Sequence, residues 1–394
     1  MRTLTDRDEA PRGTSDPADA THEPARRTGS GSLRIMHVVT RLGIGGLEVE
    51  ILNLVRGLER LGFTQSLCCL QDRGELADQL PDLVPVWSCG QGNPRTVAFR
   101  AASIVRKWRP DVVHVRNGWA WPDVTAAWLL SLRQGRLVFS FHGWDRVGRL
   151  PWRRAFLYRQ LARITPALAT ISTETANQFA DEAGIAPGRF TVLDSGIDVQ
   201  RYRPAERSGP SKKLVVGCVS RLDPIKAHDL LIEAFALALD GGARDLELRF
   251  LGDGPTRPDL ERLVAERGLT DRVRFLGMRL DIPEQLREMD LFVLSSRREG
   301  RPISIMEAMA SGLPVIATRV GSVAGLIGEG RAGILIEPGD VGGLARAIVK
   351  LVDDPVARAA FAAEARRLAV VELSVDRMAG QYAAFYRDVA RVSS

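Results

Sequence analysis

The feature that most narrows the possible folds is an alternation of two periodicities that runs along the chain and then starts again. Short apolar runs recur at 33–40, 64–70, 84–90, 111–115, 136–142, 166–172 and 190–195. Between them lie longer amphipathic stretches such as LEVEILNLVRGLERLG (47–62) and TVAFRAASIVRKWR (96–109). Such short apolar runs suit strands buried in a parallel sheet, and the stretches between them suit helices covering its faces. The pattern stops after Gly196, where residues 197–213 are polar and carry Pro and Gly, the composition of a linker. It resumes with apolar runs at 214–220, 246–252, 272–277, 291–296, 314–320 and 332–338. The fold class expected is therefore α/β, with two doubly wound, Rossmann-like domains at 33–196 and 214–374. The closing amphipathic stretch, 375–394, has no strand left to serve, and the place open to it is back on the first domain. In open parallel sheets ligands bind beyond the carboxyl ends of the strands, so the expected site is the cleft between the domains.

A chain of 394 residues exceeds one ordinary core, in keeping with two domains. Residues 1–32 are rich in Pro, Gly, Ser, Thr and charge, and read as a disordered tail rather than a signal peptide. No apolar run is long enough to cross a bilayer. Cys68, Cys69, Cys89 and Cys218 show no metal-ligand spacing and no Cys-x-x-Cys, so they read as reduced thiols of a cytoplasmic protein. The net charge of +6 is unevenly placed, with fourteen Lys/Arg against three Asp/Glu in residues 95–170. That imbalance implies an anionic partner. No nucleic-acid-binding motif accompanies it, so nucleic acid is not the expected partner.

The stretch RREGRPISIMEAMASGLPVIATRVG (297–321) poses a physical question. Pro302 suits the first turn of a helix whose body is apolar on nearly every face, the mark of a buried helix. Glu307 sits in the middle of it. An unpaired buried carboxylate costs several kcal/mol, so Glu307 needs either a buried arginine or the hydroxyls of a ligand. Just before the helix, Glu299 and the backbone amides of Gly300, Arg301 and Ile303 lie beyond a strand end, where helix N-termini receive anions. After the strand 214–220, Arg221 and Lys226 stand in a strand-to-helix loop, a place that suits a diphosphate as well as it suits two solvated surface charges.

These blocks resemble the retaining glycosyltransferases of family four, which have the GT-B fold of two such domains around a cleft. The resemblance is carried by EGRPISIMEAMASGLPVIATRVG (299–321) with its Glu-x7-Glu, together with SRLDPIKAHDLLIEAF (220–235), FLGDGPTRPDL (250–260), DRVRFLG (271–277), VTRLGIGGLEVEILNLVRGL (39–58) and DSGIDVQRYRP (194–204). It covers most of the chain beyond the tail, in family order and spacing. The resemblance implies that Glu307 accepts hydrogen bonds from the ribose of a nucleotide sugar and that Glu299 meets the transferred sugar. Arg221 and Lys226 would hold the diphosphate, and the backbone at Gly277 and Met278 would border the base. From the first domain, Gly45 and Gly46 would approach the donor phosphate and acceptor, and His142, at a strand's carboxyl end, would face the reacting sugar, the alternative at that position being a satisfied core histidine. Two positions depart from the family: Gly325 stands where a Glu is usual, and Ser195–Gly196 where Asn-Gly is usual.

The resemblance implies a retaining, metal-independent transferase that uses a nucleotide sugar, by family habit a UDP-sugar, as substrate, with a glycan or lipid-linked glycan as acceptor and no cofactor. The one Asp-x-Asp is Asp6–Asp8 in the tail, and no His/Cys/Asp cluster has ligand spacing, so no protein-held metal is expected. An epimerase of the same fold, or a noncatalytic sugar-nucleotide-binding or membrane scaffold protein, is the alternative. LPWRRAFLYRQLARI (150–164) adds a basic amphipathic stretch in which Trp152, Phe156, Leu157, Leu161 and Ile164 share a face flanked by Arg153, Arg154, Arg159 and Arg163. It suits either an anionic membrane surface, with each clustered cation adding about 1 kcal/mol, or an ordinary helix with a solvated basic rim.

Overall fold

The computed structural model describes residues 32–90, 96–143, 149–206, 213–242 and 245–391. The tail before Ser32, residues 207–212 of the expected linker and the last three residues of the closing stretch lie outside these. Among the described residues the thirteen expected strands form two sheets. The first has seven strands: β1 (Arg34–Val39), β2 (Thr64–Cys69), β3 (Val86–Ser88), β4 (Val112–Val115), β5 (Arg136–Phe141), β6 (Ala167–Thr170) and β7 (Phe190–Val192). The second has six: β8 (Leu214–Val219), β9 (Leu246–Leu251), β10 (Val273–Phe275), β11 (Leu291–Leu294), β12 (Val315–Thr318) and β13 (Gly333–Ile336). Their orders are β3-β2-β1-β4-β5-β6-β7 and β10-β9-β8-β11-β12-β13. All strand pairings are parallel. The central strands VVHV and LFVL are buried along their whole length, which is why they lack a polar alternation.

In each sheet the chain winds outward in both directions from its first strand, so the switch points are β1/β4 and β8/β11. Strands that are all parallel within a sheet present all their carboxyl ends on one side. Those ends carry Thr40–Gly46, Arg116–Ala120 and His142 in the first sheet, and Arg221–Lys226 and Ser295–Arg301 in the second.

The helix Val375–Arg391 packs on the first domain. Its Met378, Tyr382 and Tyr386 share a core with Leu54 and Leu58 of the helix Gly46–Arg60 and with Ile35, Val112 and Val138 of β1, β4 and β5. Tyr386 Oη lies 2.6 Å from His114 Nδ1. The helix Pro355–Glu372, which the sequence pattern did not single out, precedes it on the second domain. The chain thus crosses between domains twice, and the crossings touch. Ile197 forms a parallel bridge with Ser374, with the Ile197 amide donating to Leu373 O at 2.7 Å and the Val375 amide to Ile197 O at 3.0 Å. Gly196 is needed at this crossing, because a Cβ there would stand 2.8 Å from Met378 Cβ and 2.9 Å from Ser374 O.

The first part of the expected linker is accordingly packed. Ile197 and Tyr202 are buried. Arg366, on the helix Pro355–Glu372, donates to Val199 O at 3.0 Å, Tyr202 O at 2.8 Å and Ala310 O at 2.6 Å. The polar composition of 197–213 concealed these two apolar anchors.

Candidate active site

On the second domain, the Asp223 side chain accepts from the Ile225 amide at 3.1 Å and closes a single turn, Pro224–Lys226. That turn aims Lys226 at the end of β11. Lys226 Nζ lies 2.7 Å from Glu299 Oε1, and the Ser296 hydroxyl donates to the same oxygen at 2.6 Å. The Arg297 amide donates to Ile225 O at 2.8 Å and Ser295 Oγ to Ala227 O at 2.9 Å, so the two loops are tied together. Arg221 is looser. Its side chain is 54% exposed and pairs with Asp223 at 3.0 Å. A pair that exposed is worth about 0–1 kcal/mol, so an incoming anion can take Arg221 at small cost.

The buried helix begins at Ile303, with Pro302 as its cap, and runs to Ala310. Among the described residues the amides of Gly300, Arg301 and Ile303 donate to no other backbone group, so they remain available at the helix start. Glu307 is buried one turn in, and its partner is a phenol rather than an arginine: Tyr202 Oη donates to Oε1 at 2.6 Å. Burial pushes the Glu307 carboxyl up to about 7, against the pull of the Tyr202 hydrogen bond and of nearby Arg201. One phenol satisfies one lone pair, and a carboxylate can accept several more bonds. Gly277, at φ 68°, accepts from the Gly252 amide at 2.8 Å, and Met278 beside it is half exposed.

The first domain meets these groups backbone to backbone. A Cβ on Gly46 would lie 3.5 Å from Ile303 Cγ1, an ordinary contact. One on Gly300 would lie 2.8 Å from His142 O, so a side chain at 300 would push the domains apart. Gly45 caps the helix Gly46–Arg60 at the same edge. Two ion pairs also span the domains: Arg298 Nη2 with Glu182 Oε1 at 2.9 Å, and Arg301 Nη2 with Asp194 Oδ1 at 3.6 Å.

His142 lies at this contact, hydrogen-bonded within its own domain. Its ring is turned toward its own domain, with Nε2 2.8 Å from Ser140 Oγ and Nδ1 3.5 Å from Glu50 Oε1. Its backbone carbonyl is what faces Gly300. The cause is a buried network that the sequence reading missed. Arg116 Nη2 donates to Glu50 Oε1 at 2.7 Å and Ser195 Oγ to Glu50 Oε2 at 2.6 Å. Burial opposes the charge on Glu50, but His142, Arg116 and Ser195 together hold its carboxyl down to about 2. Burial pulls His142 below the usual imidazole range despite Glu50. The signal was available: Glu50 lies on the apolar face of its helix, as Glu307 does on its own. Ser195, one of the two departures from the family pattern, is a member of this network. At the other, a Cβ on Gly325 would meet nothing within 4 Å.

The basic stretch forms the helix Trp152–Ile164. Trp152 is 75% exposed and Phe156 58%, with Leu157 and Ile164 also exposed. Leu161 does not share that face. It is buried with Tyr158 and Ala162, because a helix lying on the sheet turns one side inward. Arg159 donates to Ala183 O at 3.2 Å, and Arg163 to Gln160 at 2.7 Å. Arg153 lies over the Trp152 ring at 5.4 Å and Arg154 over Trp119 at 3.8 Å. Among the described residues no helix is long and apolar enough to cross a membrane, and no group of three or more His, Cys, Asp or Glu side chains is placed to hold a metal.

Comparison with known proteins agrees with this geometry. A family model described as glycosyl transferases group 1 matches residues 213–354, and one described as glycosyltransferase family 4 matches residues 44–201. The chain is 32% identical over 306 residues to a GDP-mannose-dependent monoacylated alpha-(1-6)-phosphatidylinositol monomannoside mannosyltransferase of Corynebacterium glutamicum, covering 72% of this chain and 78% of that one. It is 31% identical over 310 residues to a D-inositol 3-phosphate glycosyltransferase of Rhodococcus jostii, covering 70% and 68%. The structure of Anabaena HepE in complex with UDP-glucose superposes with a TM-score of 0.80 at 22% identity, over 90% of this chain and 100% of that one. With two parallel sheets in the GT-B arrangement and relatives at this level of identity, the chain belongs to the group 1, family four glycosyltransferases.

Proposed function

We propose that this glycosyltransferase moves a sugar, with retention of anomeric configuration, from a UDP-sugar to a glycan or lipid-linked glycan in the assembly of a cell-surface polysaccharide or glycoconjugate. The observation that carries the reading is the meeting of Lys226, Glu299 and the open start of the Glu307 helix with the backbone of Gly46 and His142 across the domain contact. In this reading Glu307 takes the ribose hydroxyls. Arg221, Lys226 and the free amides of Gly300, Arg301 and Ile303 hold the diphosphate and stabilise the charge that develops on it as it leaves. Glu299, fixed by Lys226 and Ser296, orients the transferred sugar by its hydroxyls. The acceptor hydroxyl attacks from the face the diphosphate leaves, and a diphosphate oxygen takes its proton, so no side-chain nucleophile and no protein-held metal is assigned. His142 contributes its carbonyl at the sugar, with its ring anchored behind. The exposed Trp152, Phe156 and Leu157 among arginines favour work at the anionic inner face of the cell membrane.

HepE holds UDP-glucose on this fold, whereas the Corynebacterium relative is named for GDP-mannose, so the donor base is the first thing to measure. Incubation with a panel of labelled UDP- and GDP-sugars and lipid extracts, followed by NMR of the anomeric proton of the product, tests the proposal. Transfer from a UDP-sugar with retention supports it. An inverted product, exclusive use of GDP-sugars, or an epimerised free nucleotide sugar would overturn it.

A further inference from the structure

The first domain carries a tryptophan that the donor site does not use. Trp119 is 55% exposed, whereas Trp121 and Trp128 close by in sequence are buried. It follows β4 at the switch point, where the chain winds away from β1 in both directions and where open parallel sheets receive ligands. The crevice there is fixed on both sides. Asn117 Nδ2 donates to Thr40 Oγ1 across it at 3.0 Å, and Asn117 Oδ1 accepts from the Ala120 amide at 2.8 Å. Tyr158 Oη donates to Gly118 O at 2.8 Å. The indole is therefore displayed on an anchored loop, and the Arg154 guanidinium lies over its ring at 3.8 Å.

We propose that Trp119, backed by Arg154, is the platform on which a pyranose ring of the acceptor glycan stacks. The inference rests on the transferase reading for what the acceptor is, and on this geometry for where it lies. A pyranose has an apolar face of axial C–H bonds and a polar rim, and an open indole suits the first. The Arg154 guanidinium, stacked over one face of the indole and leaving the other for the sugar, suits the second, since its N–H groups reach past the ring toward hydroxyl or phosphate oxygens. The side chains assigned to the donor all come from the second domain, so a sugar on Trp119 stands on the opposite side of the cleft, at the same strand-end edge as Gly46 and the His142 carbonyl.

Saturation-transfer NMR with the methyl glycosides of glucose, galactose, mannose and N-acetylglucosamine, in the presence of UDP, tests this. At least one glycoside is expected to receive saturation on its ring protons. Its affinity should fall about fivefold in Trp119→Ala and recover in Trp119→Phe, which keeps an aromatic face. The affinity for UDP-glucose should be the same in all three proteins. No glycoside contact in the wild type, or contact equal in Trp119→Ala, overturns the proposal. Loss of binding to phosphatidylglycerol vesicles in Trp119→Ala, with glycoside contact intact, also overturns it, since the indole would then be a membrane residue. If neither UDP- nor GDP-sugars bind while glycoside contact depends on Trp119, the platform stands and the transferase reading falls.

Discussion

Glu307 offers the sharpest test of the donor site, because its protonation and its proposed task conflict. A carboxyl held at about 7 is half protonated at pH 7, yet only the ionised form offers all its lone pairs to two ribose hydroxyls. Donor binding should therefore select the ionised form, and affinity should rise with pH. For a single group at about 7 the fraction ionised grows about tenfold between pH 6 and pH 8, and the affinity for UDP-glucose should grow with it. UDP-glucose has no monoester phosphate, so the ligand contributes no titration of its own in that window. Calorimetry at pH 6, 7 and 8, in buffers of different ionisation enthalpy, should also show about half a proton released on binding at pH 7. In Glu307→Gln the affinity should be low and flat with pH. In the free protein the same group acts with the opposite sign. Its folded pKa lies above its ordinary 4.5, so a stabilising contribution that is whole below that value is lost as pH rises through about 7. The shift corresponds to about 3 kcal/mol. Affinity that is flat from pH 6 to 8 in the wild type, or a pH dependence that survives Glu307→Gln, would refute the reasoning.

Tyr202→Phe removes the hydrogen bond that favours ionised Glu307, so it should move the inflection in donor affinity to higher pH, as read in the same titration. Replacing both Arg221 and Lys226 with Ala should abolish UDP binding while leaving the weak binding of uridine little changed; equal losses would mean that they do not hold the diphosphate. Glu50→Ala leaves Arg116 buried without its carboxylate and should cost about 3–5 kcal/mol, seen as a large drop in melting temperature. Trp152→Ser combined with Arg153→Gln should reduce sedimentation with phosphatidylglycerol vesicles, salt should do the same in the wild type, and UDP-glucose affinity should not change.

The strands were legible because a parallel sheet covered on both faces leaves an unmistakable run of apolar residues, and thirteen such runs became thirteen strands. Glu307 was legible for a related reason: a charge on a buried helix contradicts its surroundings and so marks a site. The same contradiction at Glu50 went unread because its helix also has a solvated face, where a glutamate is unremarkable until the register is known. Partners distant in sequence stayed invisible. Nothing in the order of residues says that Tyr202 reaches Glu307, or that Ser195 and Arg116 converge on Glu50, because those contacts exist only after the crossings pair. The same holds for the approach of His142 to Glu50. Leu161 failed on a smaller scale: an apolar residue on an amphipathic helix was assigned to the wrong side of a stripe broad enough to cover both.

The paired crossings make the second domain, in topological terms, an insertion into the first. The chain leaves the first fold at Ile197 and re-enters it at Ser374, and these two residues are bridge partners. Everything between could be excised and the ends spliced with hardly any added length. Residues 32–197 joined directly to 374–391 would keep Met378, Tyr382 and Tyr386 in their core, whereas a simple truncation at Gly196 would strip them out and expose β1, β4 and β5 on one face. The second fold, whose beginning and end fall at one spot, could equally be lifted out and grafted into another host at a single surface loop. Domain exchange in this architecture therefore requires a cut at two neighbouring points in space, although they are far apart in the chain.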